Sequence, residues 1–330
     1  MLERIHLTAI ERTCAMLKPE EHKRAVVIGT GLMGPGIAYT LASAGCRVSL
    51  CGRSESSLTR GLRSYRAATD TLLRGGCISE PDAGKARERI AGTLDMEAAV
   101  ADADLVIESI AEDLDVKRTL FQRIEACCPS NTLLSSNTSG LPVGRLAGVL
   151  NHPGRFAVTH FWNPPHLMPL VEVVKGENTS PETVDALVAL LKQARKKPVI
   201  VLKDTPGQLG NRLFHALLRE AIWIVQEGIA SAEDVDTAVK ASFGRRFPVY
   251  GLLEHQDVVG LDMVLAIQGY MCRALCNHTE TGKLLQEKVA SGERGAKSGR
   301  GFYDWSKRDI ESTIRQRDEF LLRMLKSEMP

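Results

Sequence analysis

The stretch Gly29-Thr-Gly31-Leu-Met-Gly34 constrains the fold of this chain more than any other. It follows an apolar run, Ala25–Ile28, and leads into a helix-like segment through Pro35-Gly36-Ile37-Ala38. Glycines at these spacings suit a strand-to-helix turn lying against a pyrophosphate. Gly29 makes the tight turn, Gly31 lets the backbone approach the ligand, and Gly34 lets the helix pack on the strand. Leu32 and Met33 complete the turn, whose free N–H groups and positive helix end attract phosphate. Pro35 fits because the first helical turn has N–H groups to spare.

A chain of 330 residues, 44% hydrophobic and 25% charged, has room for two domains. The net charge of +2, with signs interspersed, gives no reason to expect a nucleic-acid or membrane partner. None of the eight cysteines forms a CxxC pair, and Cys46 and Cys51 lie in or beside an apolar run, which points to reduced thiols in the cytoplasm. Cys272 and Cys276, with His278 nearby, lack an evident fourth ligand, so helix packing is expected there and no metal. Residues 1–23 are charged and amphipathic and read as an N-terminal helical extension.

From Arg24 onward, apolar runs alternate with helix-like stretches: Ala25–Ile28, Arg47–Leu50, Asp104–Glu108, Thr132–Ser136, Phe156–His160, Leu170–Val174 and Val199–Leu202. This is the pattern of an α/β fold with a doubly wound, parallel Rossmann-type sheet, expected over residues 24–204. Residues 54–94 read as a helical excursion from it. After Asp204-Thr205-Pro206-Gly207 the strand-like runs stop, so residues 205–330 are expected to form an all-α second domain.

The second strand ends in Cys51-Gly52-Arg53-Ser54, without the acid that takes the ribose hydroxyls of NAD. Arg53 and Ser54 suit a ribose 2′-phosphate and tilt the choice between NAD and NADP towards NADP. Alternatively, Arg53 stacks on adenine or points to solvent.

Residues 159–174 hold a histidine, an asparagine and a glutamate around two apolar runs. If Phe156–Phe161 and Leu170–Val174 are adjacent strands, the chain leaves at His160, turns at Pro164–Pro165 and returns to set Glu172 beside it. His160 is then a candidate base and Glu172 its orienting carboxylate. Oxidising an alcohol needs such a base as hydride leaves for nicotinamide. Ser139, in Ser136-Asn137-Thr138-Ser139, falls at the carboxyl edge of the sheet, either as a ligand for a substrate oxygen or as a helix cap.

The ordered set Gly29–Gly34, Glu112…Lys117, Ser-Asn-Thr-Ser139, His160-Phe-Trp-Asn163-Pro, Leu-Val-Glu172-Val-Val, Thr-Pro-Gly207…Asn211-Arg, Val-Gly-Leu-Asp262 and Gly-x-Lys297-x-Gly-x-Gly-Phe-Tyr303 resembles the L-3-hydroxyacyl-CoA dehydrogenase family over residues 24–305. The resemblance implies reversible oxidation of a 3-hydroxyl to a ketone, a helical C-terminal domain like that of 6-phosphogluconate dehydrogenase, and a homodimer. By it, His160 is the base and Glu172 its orienter, Ser139 and Asn211 bind the substrate oxygen, and Asn163 lies near nicotinamide and substrate. Glu112, Lys117 and Lys297 would lie beside the cofactor, and Lys117 could also approach a thioester. The substrate implied is a small molecule, a CoA thioester of fatty acid metabolism.

Asn163-Pro-Pro165-His166 departs from the usual fatty-acyl pattern and is more like the lambda-crystallin and gulonate dehydrogenase branch or the pyridine-substrate branch. A free hydroxy acid, or a ring-hydroxyl or aldehyde compound, is therefore the alternative substrate. Arg245 or Arg246 would bind its acid group, unless both are solvated; His255 is a pocket contact or a surface residue. A non-catalytic, crystallin-like role would go with decay of the catalytic set, yet the set is complete. A β-hydroxyacid-type oxidative decarboxylase would carry a lysine where Asn211-Arg212 stands.

Overall fold

The computed structural model describes residues 23–328; the expected N-terminal extension lies, but for Lys23, outside the described residues. Eight strands form one sheet: β1 Arg24–Ile28, β2 Arg47–Cys51, β3 Ile90–Thr93, β4 Leu105–Glu108, β5 Leu133–Ser136, β6 Phe156–Phe161, β7 Leu170–Val174 and β8 Lys197–Val201. The order across the sheet is β3-β2-β1-β4-β5-β6-β7-β8. Neighbours run parallel except β6 and β7, which are antiparallel. The order reverses between β1 and β4, the kind of switch point where open α/β sheets take ligands.

In this unit the helices are α1 Gly34–Ser43, α2 Glu55–Arg74, α3 Glu80–Glu88, α4 Met96–Val100, α5 Leu114–Cys127, α6 Val143–Ala147 and α7 Pro181–Gln193. Strand residues alternate between two cores. Ala25, Val27, Ala157, Phe161, Val171 and Val173 join α1, α2 and α7 on one face. Val26, Ile28, Val158 and Val174 join α4, α5 and α6 on the other. Both faces are buried, which is why the strands read as continuous apolar runs. Helix α1 is buried from Gly34 to Ala42 and correspondingly apolar all round.

Residues 54–94 are not wholly helical. Helices α2 and α3 occupy most of the stretch, but Ile90–Thr93 pairs in parallel with β2 as an edge strand. Ile-Ala-Gly-Thr has one large apolar residue and is half exposed, so it lacks the run that marks the other strands. Gly92 fits because a side chain there would meet Leu62 and Leu58 at 2.9 and 3.1 Å.

The contacts divide the chain into two compact units, one running to Leu209 and resuming at Gln316, the other Gly210–Arg315. The second unit holds α8 Gly210–Gln226, α9 Ala232–Ala241, α10 Phe243–Arg246, α11 Leu252–Val259, α12 Leu261–Ala274 and α13 Lys283–Ala290. The final helix, α14 Ile310–Ser327, begins there, but Leu321, Leu322 and Leu325 pack on the core of the first unit. Residues 205–330 are expected from the sequence to form one second domain, whereas the contacts group 205–209 and 316–330 with the first unit. Among the described residues no helix is long and apolar enough to cross a membrane.

Candidate active site

Parallel strands deliver β1, β4 and β5 to one edge of the sheet, and β6 ends there beside the start of β7. The glycine turn opens this edge. Gly29 has φ +121°, and a side chain on it would come within 2.2 Å of the Ser109 carbonyl oxygen. A side chain on Gly34 would lie 1.9 Å from the Gly29 carbonyl oxygen, so α1 can start this close to β1 only with glycine. Gly31, by contrast, faces open space. Two glycines are required by packing and the third leaves a cradle for a ligand, which fits a dinucleotide pyrophosphate. Leu32 is exposed beside it, and Met33 packs against the core.

At the end of β2, Gly52 is again required by packing, since a side chain would meet Leu58 at 2.9 Å. Arg53 is exposed. The Ser54 hydroxyl caps α2, accepting from the Ser57 N–H at 3.3 Å, while the Ser54 N–H donates to Ser57 Oγ at 3.2 Å. Ser54 thus serves the helix, and of the two residues expected to hold a 2′-phosphate, Arg53 is the one whose side chain makes no hydrogen bond or ion pair among the described residues.

His160 and Glu172 face each other across β6 and β7. Nδ1 of the imidazole lies 2.7 Å from Glu172 Oε2. Glu172 is completely buried, and two further donors reach it: Trp162 Nε1 to Oε2 at 3.1 Å and the Leu209 N–H to Oε1 at 2.9 Å. A buried carboxylate satisfied in this way accepts only, so Nδ1 carries the proton and the lone pair is on Nε2. That is the tautomer a general base needs.

A second buried network lies beside it. Lys117 is 1% exposed and its ammonium sits 2.6 Å from Glu108 and 3.3 Å from Glu112. Glu108, wholly buried at the end of β4, also accepts from Ser136 Oγ at 2.5 Å and the Ile110 N–H at 2.6 Å. Glu112 accepts from the Ser139 N–H at 3.0 Å and from the Thr138 hydroxyl. Glu112 and Lys117 thus pin the loop that carries Ser139. Asn137 Oδ1 accepts from the Phe161 N–H at 2.9 Å and joins that loop to β6. Asn163 is exposed beyond β6.

The first unit brings His160, Glu172, Ser139, Glu112, Lys117 and the glycine turn to one edge of the sheet. Asn211 opens α8, and Lys297 lies in the short turn Ala296–Ser298; both belong to the second unit. His255 stacks on Tyr250 there, with ring centroids 5.1 Å apart. Cys272 is exposed on α12, Cys276 is buried, and among the described residues no group of three side chains is placed to hold a metal.

Trp162, Leu209 and Gln208 are site residues that the sequence does not single out. Only Trp162 had a visible signal, its place two residues after His160, where strand alternation returns it to the same face. Gln208 is buried with φ +52°, donates to the Thr138 carbonyl at 3.1 Å, and leaves Oε1 without a partner among the described residues.

A Rossmann-type sheet with this turn and a carboxylate-oriented histidine defines a nicotinamide-dependent oxidoreductase. Residues 24–205 match the model of the 3-hydroxyacyl-CoA dehydrogenase NAD binding domain, and residues 207–305 that of its C-terminal domain. The chain belongs to the NAD-dependent 3-hydroxyacyl-CoA dehydrogenase family. It is 34% identical over 281 residues to 5-formyl-3-hydroxy-2-methylpyridine 4-carboxylate 5-dehydrogenase of Mesorhizobium japonicum, covering 85% of this chain and 90% of that one. It is 37% identical over 289 residues to a probable 3-hydroxybutyryl-CoA dehydrogenase of Bacillus subtilis, covering 87% and 99%. A crystal structure of the pyridine-carboxylic acid dehydrogenase, an NAD+ dependent dismutase, superposes with a TM-score of 0.86 at 32% identity, covering 94% of this chain and all of that one.

Proposed function

We propose that this protein oxidises the 3-hydroxyl of a 3-hydroxyacyl-CoA to a ketone, reversibly, with His160 as the base. The observation that carries this reading is the 2.7 Å contact between His160 Nδ1 and Glu172, which puts the basic lone pair on Nε2. The nicotinamide, once bound, supplies the carbon that accepts the hydride. Gly29, Gly31, Leu32, Met33 and Gly34 would hold its pyrophosphate, with Glu112, Lys117 and Lys297 towards the nicotinamide side. Since Lys117 is clamped between Glu108 and Glu112, it acts by fixing the loop of Ser139.

His160 takes the hydroxyl proton as the C–H bond breaks. Glu172 stabilises the imidazolium that forms, and Trp162 and the Leu209 N–H hold Glu172 in place. Ser139 and Asn211 bind the substrate oxygen, and Asn163 positions the reacting carbon. In the reductive direction the imidazolium returns the proton to the alkoxide.

A second reading, the same redox chemistry on a free hydroxy acid or a ring-hydroxyl or aldehyde compound, is favoured by one observation. The pyridine-carboxylic acid dehydrogenase superposes over 94% of the chain at a TM-score of 0.86, against 86% and 0.72 for a (S)-3-hydroxybutyryl-CoA dehydrogenase from Ralstonia eutropha. The Pro164–Pro165 segment agrees with it. NAD is the cofactor of this reading, and Arg53 supports NADP as the alternative.

The protein acts as a homodimer in the cytoplasm. Ile222 and Cys276 are the only buried side chains described in the second unit, whereas Leu213, Phe214, Val249, Leu253 and Leu265 are exposed. Helices with so little interior call for a partner surface.

A coupled absorbance screen with NAD and NADP against acetoacetyl-CoA, longer 3-oxoacyl-CoAs and free hydroxy acids tests the reading. Reduction of 3-oxoacyl-CoAs with NADH is expected. Activity confined to free acids or ring compounds would move the assignment to the second reading, and activity on neither class would overturn both.

A further inference from the structure

Away from the active site, a cavity of about 840 Å³ opens on the helical side of the first unit. It lies among α1, α2, α3, the end of α7 and the end of α14. None of the glycine turn, the His160–Glu172 pair or the Ser139 loop lines it. Its volume is that of a small-molecule site. One part of its wall is apolar, formed by Leu72, Ile78, Pro169 and Leu325. Among its charged side chains, bases outnumber acids.

Lys85, Arg89, Arg195, Lys196 and Lys197 line the cavity, against the acids Asp82 and Glu328. Both acids are already engaged: Glu328 pairs with Lys197 at 2.8 Å, and Asp82 accepts from Ser79 Oγ at 2.7 Å. Arg89 donates to the Ala42 carbonyl at 3.1 Å. Asp82 also lies within electrostatic reach of Lys85 and Arg195, so the cation of this wall left without a carboxylate among the described residues is Lys196. Lys196 is the informative one, because its ammonium is withdrawn from water and held only by the carbonyls of Pro165 and Met168, at 2.5 and 3.0 Å. Burial pulls it down to about 7. A cation taken out of water without a counter-ion is costly, and an anion in the cavity would relieve that cost.

We propose that this cavity is a second binding site, for a small organic carboxylate with an apolar body, whose acid group is the missing counter-ion of Lys196, with Arg195 beside it as a further cation. The apolar body lies against Leu72, Ile78 and Leu325. The Lys196 contacts lie on the Pro164–Pro169 segment between β6 and β7, so an occupant bears on the segment that joins His160 to Glu172.

Binding carries a proton signature. An anion beside Lys196 raises its proton affinity, so near pH 7 the complex takes up part of a proton. Of the other titratable groups facing it, His166, near Lys196, Arg317 and Asp318, is held down to about 4 by burial and stays neutral, Tyr39 and Cys77 are pushed up by burial and stay protonated, and the Ser79 hydroxyl holds Asp82 below the ordinary carboxylate range. Lys85, Arg89, Arg195, Lys197 and Glu328 complete the charged wall.

The test is titration calorimetry of the full chain with benzoate at about pH 7, with NAD saturating, in two buffers of different ionisation enthalpy. One benzoate per chain and net proton uptake are expected. Lys196→Met should weaken binding at least about tenfold and abolish the uptake. Arg195→Gly is the folding-safe variant, because Arg195 has φ +57°, which glycine adopts freely. It should weaken benzoate while leaving turnover unchanged. No saturable binding, or binding with the same affinity and proton uptake in both variants, would overturn the proposal.

Discussion

His160 on β6 and Glu172 on β7 are register partners in the one antiparallel pair of the sheet, with Nδ1 and Oε2 2.7 Å apart. Directly opposed residues on antiparallel strands keep their Cβ atoms about 4.5–5.5 Å apart. An imidazole and a carboxylate therefore meet there without help from a loop. The pair is fixed by the ladder, which makes it rigid.

Replacing Glu172 by Gln keeps the shape but removes the charge proposed to stabilise the imidazolium. Turnover should fall by on the order of 10²–10⁴-fold, as when the orienting carboxylate of a hydrolase triad is neutralised. Steady-state kcat with saturating NAD measures it, and a decrease of under about threefold would count against the role of Glu172.

Trp162→Phe conserves the ring and deletes one donor to Glu172 Oε2. A hydrogen bond to a charged group is worth about 1.5–3 kcal/mol, so kcat should drop by on the order of tenfold or more with the fold preserved. A shift in KM with unchanged kcat would place Trp162 on the substrate instead.

Gly34→Ala should be among the most damaging changes of a single methyl group. The new Cβ would sit 1.9 Å from the Gly29 carbonyl oxygen, so the turn must open. Weaker NAD binding and a lower melting temperature are expected. Gly31→Ala, with open space around it, should weaken NAD binding with little change in the melting temperature of the unliganded protein.

Glu125 gives the protein an acid-sensitive joint. It pairs with Arg155 at 3.1 Å, with both side chains under 10% exposed, and accepts from the Asn151 and His152 N–H groups. Burial acts to raise its pKa, but these hydrogen bonds and Arg155 together outweigh burial and hold it below the ordinary carboxylate value. The folded protein thus binds this proton more weakly than the unfolded chain. Its contribution is present above the unfolded value of about 4.5 and is lost as pH falls through the lower folded value. Glu125→Ala leaves Arg155 buried and unpaired and should cost about 3–5 kcal/mol at neutral pH. Denaturant melts at neutral pH and near pH 4 check both, because the difference between wild type and variant should shrink in acid.

The sequence shows the parts whose signals are local. The glycine turn and the long buried strands are legible because three glycines and uninterrupted apolar runs each have one economical conformation. The pairing of His160 with Glu172 follows from two adjacent runs and a turn. Ile90–Thr93 escapes notice because an edge strand with a glycine has no apolar signature, and its place is set by β2. The donors to Glu172 are invisible for another reason: the Leu209 N–H arrives from 37 residues away, and a backbone group carries no residue code. The return of α14 to the first unit is likewise non-local, resting on Leu321, Leu322 and Leu325 against a core assembled from the other end of the chain.

His160 as the base is the centre of the proposed mechanism. Turnover of His160→Gln, measured with saturating NAD beside its NAD affinity, tests it most directly. The proposed mechanism predicts a loss of roughly 10²–10⁴-fold or more in kcat with NAD affinity unchanged within about twofold, because the glycine turn is untouched. Turnover close to that of the unmodified protein would contradict it.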